Sequence, residues 1–276
     1  MNTELSGDVS LSAKQRLVYL WRNTLKNLPR PGHGLRSVPW NLPNDAFDEW
    51  ASGKASPLRV LSEAFLVLHL PTFLQGRKIQ VLDIGCGSGR SCNLLSQAAL
   101  SGDYIGLDLE DRFKHTNEGR DGFTSSFIQG DVHDAMPQTS FDIILSNSAL
   151  EHIPDDIRLA TQFNELLTEN GFQVHIVPAP GALYGYLWHG FRQYSLNAIA
   201  ERFEGNGIKI YRLGGLFSFL AHVLMITIPE ILFRFSLRNM FPSFYASILR
   251  ISLHLDPAIP FPAISYAIIC PKTKAP

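Results

Sequence analysis

The run Val81-Leu-Asp-Ile-Gly-Cys-Gly-Ser-Gly89 constrains this chain more than any other segment. Ile79 to Ile84 reads as a buried strand, because it is mostly apolar and ends at a turn signal. The glycines at 85, 87 and 89 let the backbone turn sharply and let a ligand approach closely, since no Cβ intervenes. An apolar-periodic stretch then begins at Arg90 and passes through Leu94 and Leu95, so a helix follows the turn. The start of such a helix presents free amide N–H groups and partial positive charge. Asp83, at the end of the strand, is placed to meet a cationic group.

The spacing separates two cofactor classes. A dinucleotide fingerprint, G-x-G-x-x-G, requires glycine at position 90, where this chain has Arg90. The pattern here is D-x-G-x-G-x-G, with the acid ahead of the turn. On these residues the chain resembles the class I S-adenosylmethionine-dependent methyltransferases, in particular the broad type 11 group that acts on small molecules. The resemblance implies a Rossmann-like α/β fold: a seven-stranded, mostly parallel sheet, helices on both faces, and an antiparallel hairpin of the last two strands at one edge. It also implies S-adenosyl-L-methionine as cofactor. Two other readings stay open. One is an oxidoreductase using a nicotinamide cofactor, which Arg90 and Asp83 oppose; the other is a non-catalytic cofactor-binding partner or scaffold.

Charges nearly balance, with 24 Lys and Arg against 25 Asp and Glu, and no basic stripe stands out, so nucleic acid is not expected as a partner. Cys86, Cys92 and Cys270 are odd in number and lack C-x-x-C spacing, which reads as reduced thiols in a cytoplasmic protein. Glu4 and Asp8 interrupt the N-terminus, which lacks the apolar run of a secretory signal.

Residues 1–10 read as frayed. Ser12-Ala-Lys-Gln15 has capping-box form and predicts a helix to about Leu25. A loop at Pro29–Gly34 and an irregular stretch through Pro39, Trp40 and Pro43 follow. Pro57 fits the first turn of a helix that Pro71 ends or kinks. From Ile79 strands and helices alternate, as in a parallel sheet covered on both faces. Strands are expected at Tyr104–Asp108, Ser126–Gln129, Phe141–Ser146, Phe172–Val177, Ile208–Arg212 and Ile264–Ile269, with helices at 156–168 and 196–203. The chain thus divides into an N-terminal helical extension or lid (1–75), a cofactor-binding core (76–213 and 263–276) and an apolar helical insertion (214–262).

Ligands of open α/β sheets sit at the carboxyl ends of the strands. Asp108 closes the second core strand, where a carboxylate can accept from ribose hydroxyls, with Leu109 beside it. The resemblance carries Asp83, Gly85, Gly87, Gly89, Asp108, Asp131 and Val132 to cofactor binding; in the family an acid like Asp131 accepts from the adenine amino group and the next residue packs on the ring. Cys86 lies within the turn, and Asn147 and Ser148 end the fourth core strand, where they line the pocket around the sulfonium.

The stretch Ser148-Ala-Leu-Glu-His152 resembles the family segment that faces the reacting methyl group. His152 is the first candidate base because its ordinary pKa lies near working pH; a loop-bonding histidine is the plainer alternative. Glu151 is a weaker candidate, and Asp155 and Asp156 read as the N-cap and first turn of the next helix. No metal site is expected. After the fifth core strand, Tyr184, Tyr186, His189, Arg192 and Tyr194 could build an acceptor pocket, or an aromatic packing cluster under a loop.

No charged residue occurs from Gly214 through Pro229, a run slightly short of the ~20 apolar residues a spanning helix needs. Pro229 and Pro242 are expected to divide the insertion into three helices. Three roles fit: a cap over an apolar acceptor, a membrane-interface element, or a homodimer face. The expectation is a cytoplasmic methyltransferase, possible membrane association included, acting on a small acceptor that is apolar or lipid-linked.

Overall fold

The computed structural model describes residues 5–28, 34–74, 76, 78–115, 122–203 and 207–273. Most of the loop expected at Pro29–Gly34 and the first four residues of the expected frayed end lie outside these.

The core is an eight-stranded sheet in the order β1-β7-β8-β6-β5-β2-β3-β4. The strands are β1 (Ser37–Trp40), β2 (Ile79–Ile84), β3 (Gly102–Asp108), β4 (Phe123–Gln129), β5 (Phe141–Asn147), β6 (Leu167–Pro178), β7 (Lys209–Leu213) and β8 (Ser265–Pro271). Only β8 runs antiparallel, between β6 and β7; all other pairings are parallel. The helices are α1 (Ala13–Lys26), α2 (Phe47–Trp50), α3 (Pro57–Ala64), α4 (Arg90–Gln97), α5 (Asp156–Leu166), α6 (Ala182–Tyr186), α7 (Leu196–Arg202), α8 (Leu216–His222), α9 (Leu237–Met240) and α10 (Pro242–Leu255).

The strand alternation explains the layers. Successive side chains point to opposite faces of a sheet. Val81, Ile143, Leu145, Val174 and Ile176 therefore pack on one side with residues of α3, α4 and α10. Leu82, Ile84, Ile144 and Val177 pack on the other with residues of α5 and α7. Helices thus cover both faces, and the central strands β2, β5 and β6 read as apolar runs because neither of their faces meets water.

Four expectations are corrected. The sheet has eight strands rather than seven: β1 pairs in parallel with β7, from Ser37↔Ile210 to Trp40↔Leu213. A four-residue strand containing Pro39 carries little local β signal; pairing with a distant strand makes it one. Residues 5–8 are not frayed. Ser6 is buried, and the Gly7 amide donates to the Gly190 carbonyl at 2.7 Å. Helix α5 ends at Leu166, two residues before the expected stop, and β6 begins at once, pairing Leu167 with Phe141. Finally, Pro229 does not divide the insertion. It lies inside a π-helical segment, Val223–Leu232, that continues α8. The wider π turn tolerates a residue with no N–H to give. Pro242 does mark a boundary, at the first turn of α10.

The expected capping box forms: the Ser12 hydroxyl accepts from the Gln15 amide, and the Gln15 side chain accepts from the Ser12 amide. Helix α1 then docks on the loop after α6. The Tyr19 hydroxyl donates to the His189 carbonyl at 2.6 Å, and Arg16 stacks over Trp188. Cys86, Cys92 and Cys270 are free and buried.

Candidate active site

The strand ends β2, β3 and β5 and the loops after them open onto one cleft, made of two adjoining cavities. The larger, of about 620 Å³, is lined by residues after β3 and β4 together with Asp8, His152 and His189. The smaller, of about 370 Å³, lies between the glycine turn and α3. Gly85, Arg112, Ser148 and His189 line both.

The glycine turn shapes the floor. A Cβ on Gly85 would lie 2.4 Å from the Ala149 Cβ, so only glycine lets the loop after β5 approach. Gly87 has φ +56° and faces open space, leaving its backbone accessible from the cleft. Its amide donates to Asp108 Oδ2 at 2.7 Å, and the Glu110 amide donates to Asp108 Oδ1 at 2.9 Å. An ionised carboxylate has about four acceptor positions. Asp108 therefore holds the turn in place and keeps capacity for two further donors from the cleft. Asp131 accepts from the His133 amide through Oδ1, and Val132 lies beside it on the same wall. Leu109 forms the exposed lip. Two carboxylates at neighbouring strand tips, an apolar wall and a glycine turn with no side chain in the way at Gly87 fit a nucleoside whose hydroxyls and amino group donate.

The smaller cavity holds Cys86, Gly87, Asn147, Ser148 and Tyr186. Sequence reasoning missed its charged group. Glu63 of α3 bonds both Arg59 and Arg90. Burial pushes the Glu63 carboxyl up, but Arg90 and Arg59 together outweigh this and hold it below the usual carboxylate range. Arg90, noted in the sequence only as a non-glycine, thus anchors α4 to α3 at the cavity wall.

Several expected site residues sit elsewhere. Asp83 lines neither cavity; it is buried behind the turn, where the Tyr104 hydroxyl donates to it at 2.5 Å. Burial raises its pKa to about 7, against lowering hydrogen bonds from Tyr104 and Ser91. Gly89 also lies outside both linings, as the left-handed N-cap of α4. Arg192 and Tyr194 belong to a buried network on Asp156. Arg192 Nη1 lies 2.8 Å from Asp156 Oδ1, while the Tyr194 hydroxyl and Arg202 Nε each donate to Oδ2 at 2.6 Å. Tyr184 is half-exposed, with its hydroxyl 3.1 Å from the Thr24 hydroxyl. Of the five aromatic and basic residues expected around the acceptor, Tyr186 and His189 reach the cleft.

The N-terminal segment supplies a group that sequence reasoning did not anticipate. Asp8 Oδ2 lies 2.7 Å from His152 Nδ1, and the Gly190 amide donates to Asp8 Oδ1. Burial pushes the Asp8 carboxyl up, but the bonds from His152, Gly190 and Ser6 prevail and keep it low. The His189 ring packs edge-on against His152, with centroids 4.6 Å apart. Burial and the neighbouring His152 lower the His189 pKa. Below them, Glu151 is buried and its Oε2 lacks a partner among the described residues; burial pushes its carboxyl up to about 7.

Although no metal was expected, Asp8, His152 and His189 bring three ligand atoms within 4.8 Å of one another. Within this group the Asp8 carboxylate and the His152 imidazole are joined directly through Nδ1. No local pattern foretold Asp8, since the contact joins positions 144 residues apart.

A cleft at the carboxyl edge of this sheet, floored by a D-x-G-x-G-x-G turn, defines a Rossmann-like protein of the class I methyltransferase fold. A family profile described as "Methyltransferase domain" matches residues 58–213, and the chain belongs to that family. The family uses S-adenosylmethionine. Among curated relatives, trans-aconitate 2-methyltransferase of Deinococcus radiodurans is 29% identical over 142 residues, covering 51% of this chain and 50% of that protein. Arsenite methyltransferase of Aquipseudomonas alcaligenes is 33% identical over 117 residues, covering 38% and 33%. The chain therefore spans half or less of the curated relatives it matches. The plantazolicin methyltransferase BpumL in complex with SAH superposes with a TM-score of 0.51 at 16% identity, covering 83% of this chain and 90% of that one, which supports the fold.

Proposed function

We propose that the cleft binds S-adenosylmethionine and that the chain transfers its methyl group to a small acceptor. One observation carries this reading: Asp108 fixes the glycine turn through the Gly87 amide at the head of a cleft that also holds Asp131 and Val132. Asp108 and Asp131 would hold the sugar and the base, Val132 and Leu109 the faces of the base, and Gly85, Cys86, Gly87, Asn147 and Ser148 the amino-acid end. When bound, S-adenosylmethionine supplies a methyl carbon already activated by its sulfonium.

What the chain adds is position and proton removal. Holding an acceptor in line contributes as much as ~7–11 kcal/mol in the most favourable oriented reactions. His152 has Nδ1 engaged by Asp8, which leaves Nε2 to take a proton from an acceptor hydroxyl, carboxyl or amine. With its proton taken up by His152 Nε2, the acceptor atom would be free to receive that methyl group. Asp8 is a positioning residue: its hydrogen bond to Nδ1 fixes the orientation of the imidazole. The acceptors that name the two relatives, trans-aconitate and arsenite, are small. Support for an apolar or lipid-linked acceptor here comes from the apolar insertion, whose His222 packs on Tyr186 at the wall of the smaller, otherwise largely polar cavity.

Calorimetry and labelling test the proposal. Asp108→Ala should weaken S-adenosylmethionine binding by at least about tenfold, the order of one lost charge-assisted hydrogen bond. Methyl-labelled cofactor incubated with fractionated cell extract, lipid fraction included, should label a product. Binding without any labelled product would make the chain a cofactor-binding partner instead. With the product in hand, Asp8→Asn and His152→Ala should lower kcat, and Asp8→Asn should leave the cofactor Kd unchanged. Full turnover in His152→Ala would remove it as the base.

A further inference from the structure

Helix α10 shows three sectors where a surface helix ordinarily shows two. Its buried stripe is Tyr245, Leu249, Ser252 and Leu253. Its polar sector is Ser243, Ser247, Arg250 and His254. The third sector is Phe244, Ile248, Ile251 and Leu255, about 100° around the axis from the buried stripe at 3.6 residues per turn, with Phe241 at the N-cap just ahead of it. That stripe is apolar along its whole length, yet Phe241, Phe244 and Ile251 are each more than half exposed, at 53%, 55% and 54%. Helix α9 packs against both α10 and the π-helical segment, and the turn between them adds Leu232, Phe233 and Phe235, all exposed. At the tip, Arg234 sits between the two phenylalanines and is exposed. Exposed apolar residues concentrated on neighbouring elements in this way mark interaction sites.

Charge selects the occupant. From Leu213 through Leu255 the only acid is Glu230, against Arg234, Arg238 and Arg250. Arg238 bonds both oxygens of Glu230, and Ser236 also donates to it. Arg250 pairs with Asp48 of α2. Arg234 therefore supplies positive charge at the aromatic tip, with the exposed Lys54 on the adjoining loop, whose carbonyl accepts from Arg238. A two-fold dimer through this face would bring like patches together and gather two copies of Arg234 and Lys54 in one interface. Anionic headgroups complement it, while the phenylalanines and the α10 stripe enter the acyl boundary. Among the described residues no helix is long and apolar enough to cross a membrane, so the element would lie on a bilayer rather than span it.

We propose that α10 and the Leu232–Phe235 turn form an interfacial docking surface for an anionic lipid bilayer. This surface connects to the cleft. The His222 ring packs on Tyr186 with centroids 4.3 Å apart, the Thr227 hydroxyl donates to the Gly185 carbonyl, and Tyr186 lines the smaller cavity. Docking would set that cavity close to the headgroup layer, where an apolar acceptor is concentrated. The latter consequence rests on the methyl-transfer reading; the docking itself does not.

Vesicle co-sedimentation of the full chain, with no cofactor or acceptor present, tests it. The chain should pellet with vesicles containing phosphatidylglycerol, bind weakly to pure phosphatidylcholine, and lose affinity as salt rises. Phe233→Ser/Phe235→Ser/Phe244→Ser should reduce binding at least about tenfold. Arg234→Glu should reduce binding to the anionic vesicles by about tenfold or more and leave pure phosphatidylcholine unaffected. All these side chains are exposed, so circular dichroism and cofactor affinity should match wild type and show that the variants fold. Wild-type chain that stays in the supernatant overturns the proposal, as do variants that bind like wild type. A dimer that the triple substitution dissociates, without vesicle binding by the wild type, assigns the face to a second copy and also overturns it. Because the assay contains no cofactor, failure here is separate from failure of methyl transfer.

Discussion

Arg192→Met separates a structural arginine from a substrate-binding one. The Arg192 side chain is 6% exposed, lies 2.8 Å from Asp156 Oδ1, and donates to the Ile153 and Pro154 carbonyls at 2.8 and 2.6 Å. Methionine replaces the stem but none of these bonds. Breaking a buried ion pair by removing one partner costs about 3–5 kcal/mol. Asp156 keeps Arg202 and the Tyr194 hydroxyl, so the lower end, about 3 kcal/mol, is expected. For 276 residues an unfolding entropy of ~2.1 cal/mol/K per residue gives about 0.6 kcal/mol/K, hence a Tm lower by about 5 °C. Scanning calorimetry measures this directly. The Ile153–Pro154 carbonyls also anchor the loop carrying His152, so kcat should fall with stability while the cofactor Kd changes little. A variant with wild-type Tm and only a raised KM for the acceptor would refute the assignment and return Arg192 to the pocket.

Three other substitutions probe the cleft. Gly87→Leu directs a side chain into open space from a backbone at φ +56°; it should cost about 1–2 kcal/mol of stability yet abolish cofactor binding by calorimetry. In Glu151→Gln the sign follows from proton binding. With its pKa raised by burial from 4.5 to about 7, the folded chain holds a proton that the unfolded chain has lost, so wild-type stability falls as pH rises through that window. The variant should lose this slope and, above pH ~7, gain up to about 3 kcal/mol relative to wild type, at 1.36 kcal/mol per unit, less the cost of any unpaired amide; Tm at acid and alkaline pH reads it. In Gly7→Ala the added Cβ would lie 2.3 Å from the His189 nitrogen and the Trp188 carbonyl carbon, so the segment bearing Asp8 must shift. Turnover should fall on the order of 10²-fold, as for a misplaced catalytic group, with cofactor affinity retained.

How much of this was legible depended on how local the determining interactions are. The strand Ile79–Ile84, the glycine turn and the helix from Arg90 announce themselves because burial on both faces demands an unbroken apolar run and the turn demands glycine. Asp108 and Asp131 were readable because a parallel sheet sends every strand tip to one edge. Tyr194 and Arg192 misled because an acceptor pocket and a buried aromatic–ion network use the same residue types; only Asp156, 38 and 36 positions away, distinguishes them. Asp8 was invisible for a related reason. Its segment has no periodicity, and what orders it is the loop at Gly190, reached only once the sheet has formed. The π-helical continuation through Pro229 escaped because a proline signals a break unless tertiary packing pays for the wider turn.

The extra strand β1 bears on how this molecule meets others of its kind in solution. Without it, β7 would present its free backbone edge, five residues of unpaired N–H and C=O groups, as a template for strand addition. With it, the outermost rung on that flank is four residues long and contains Pro39, which has no amide proton to offer an incoming chain. A segment that pairs weakly by its own propensity thereby acts as a guard against fibrillar or edge-to-edge association.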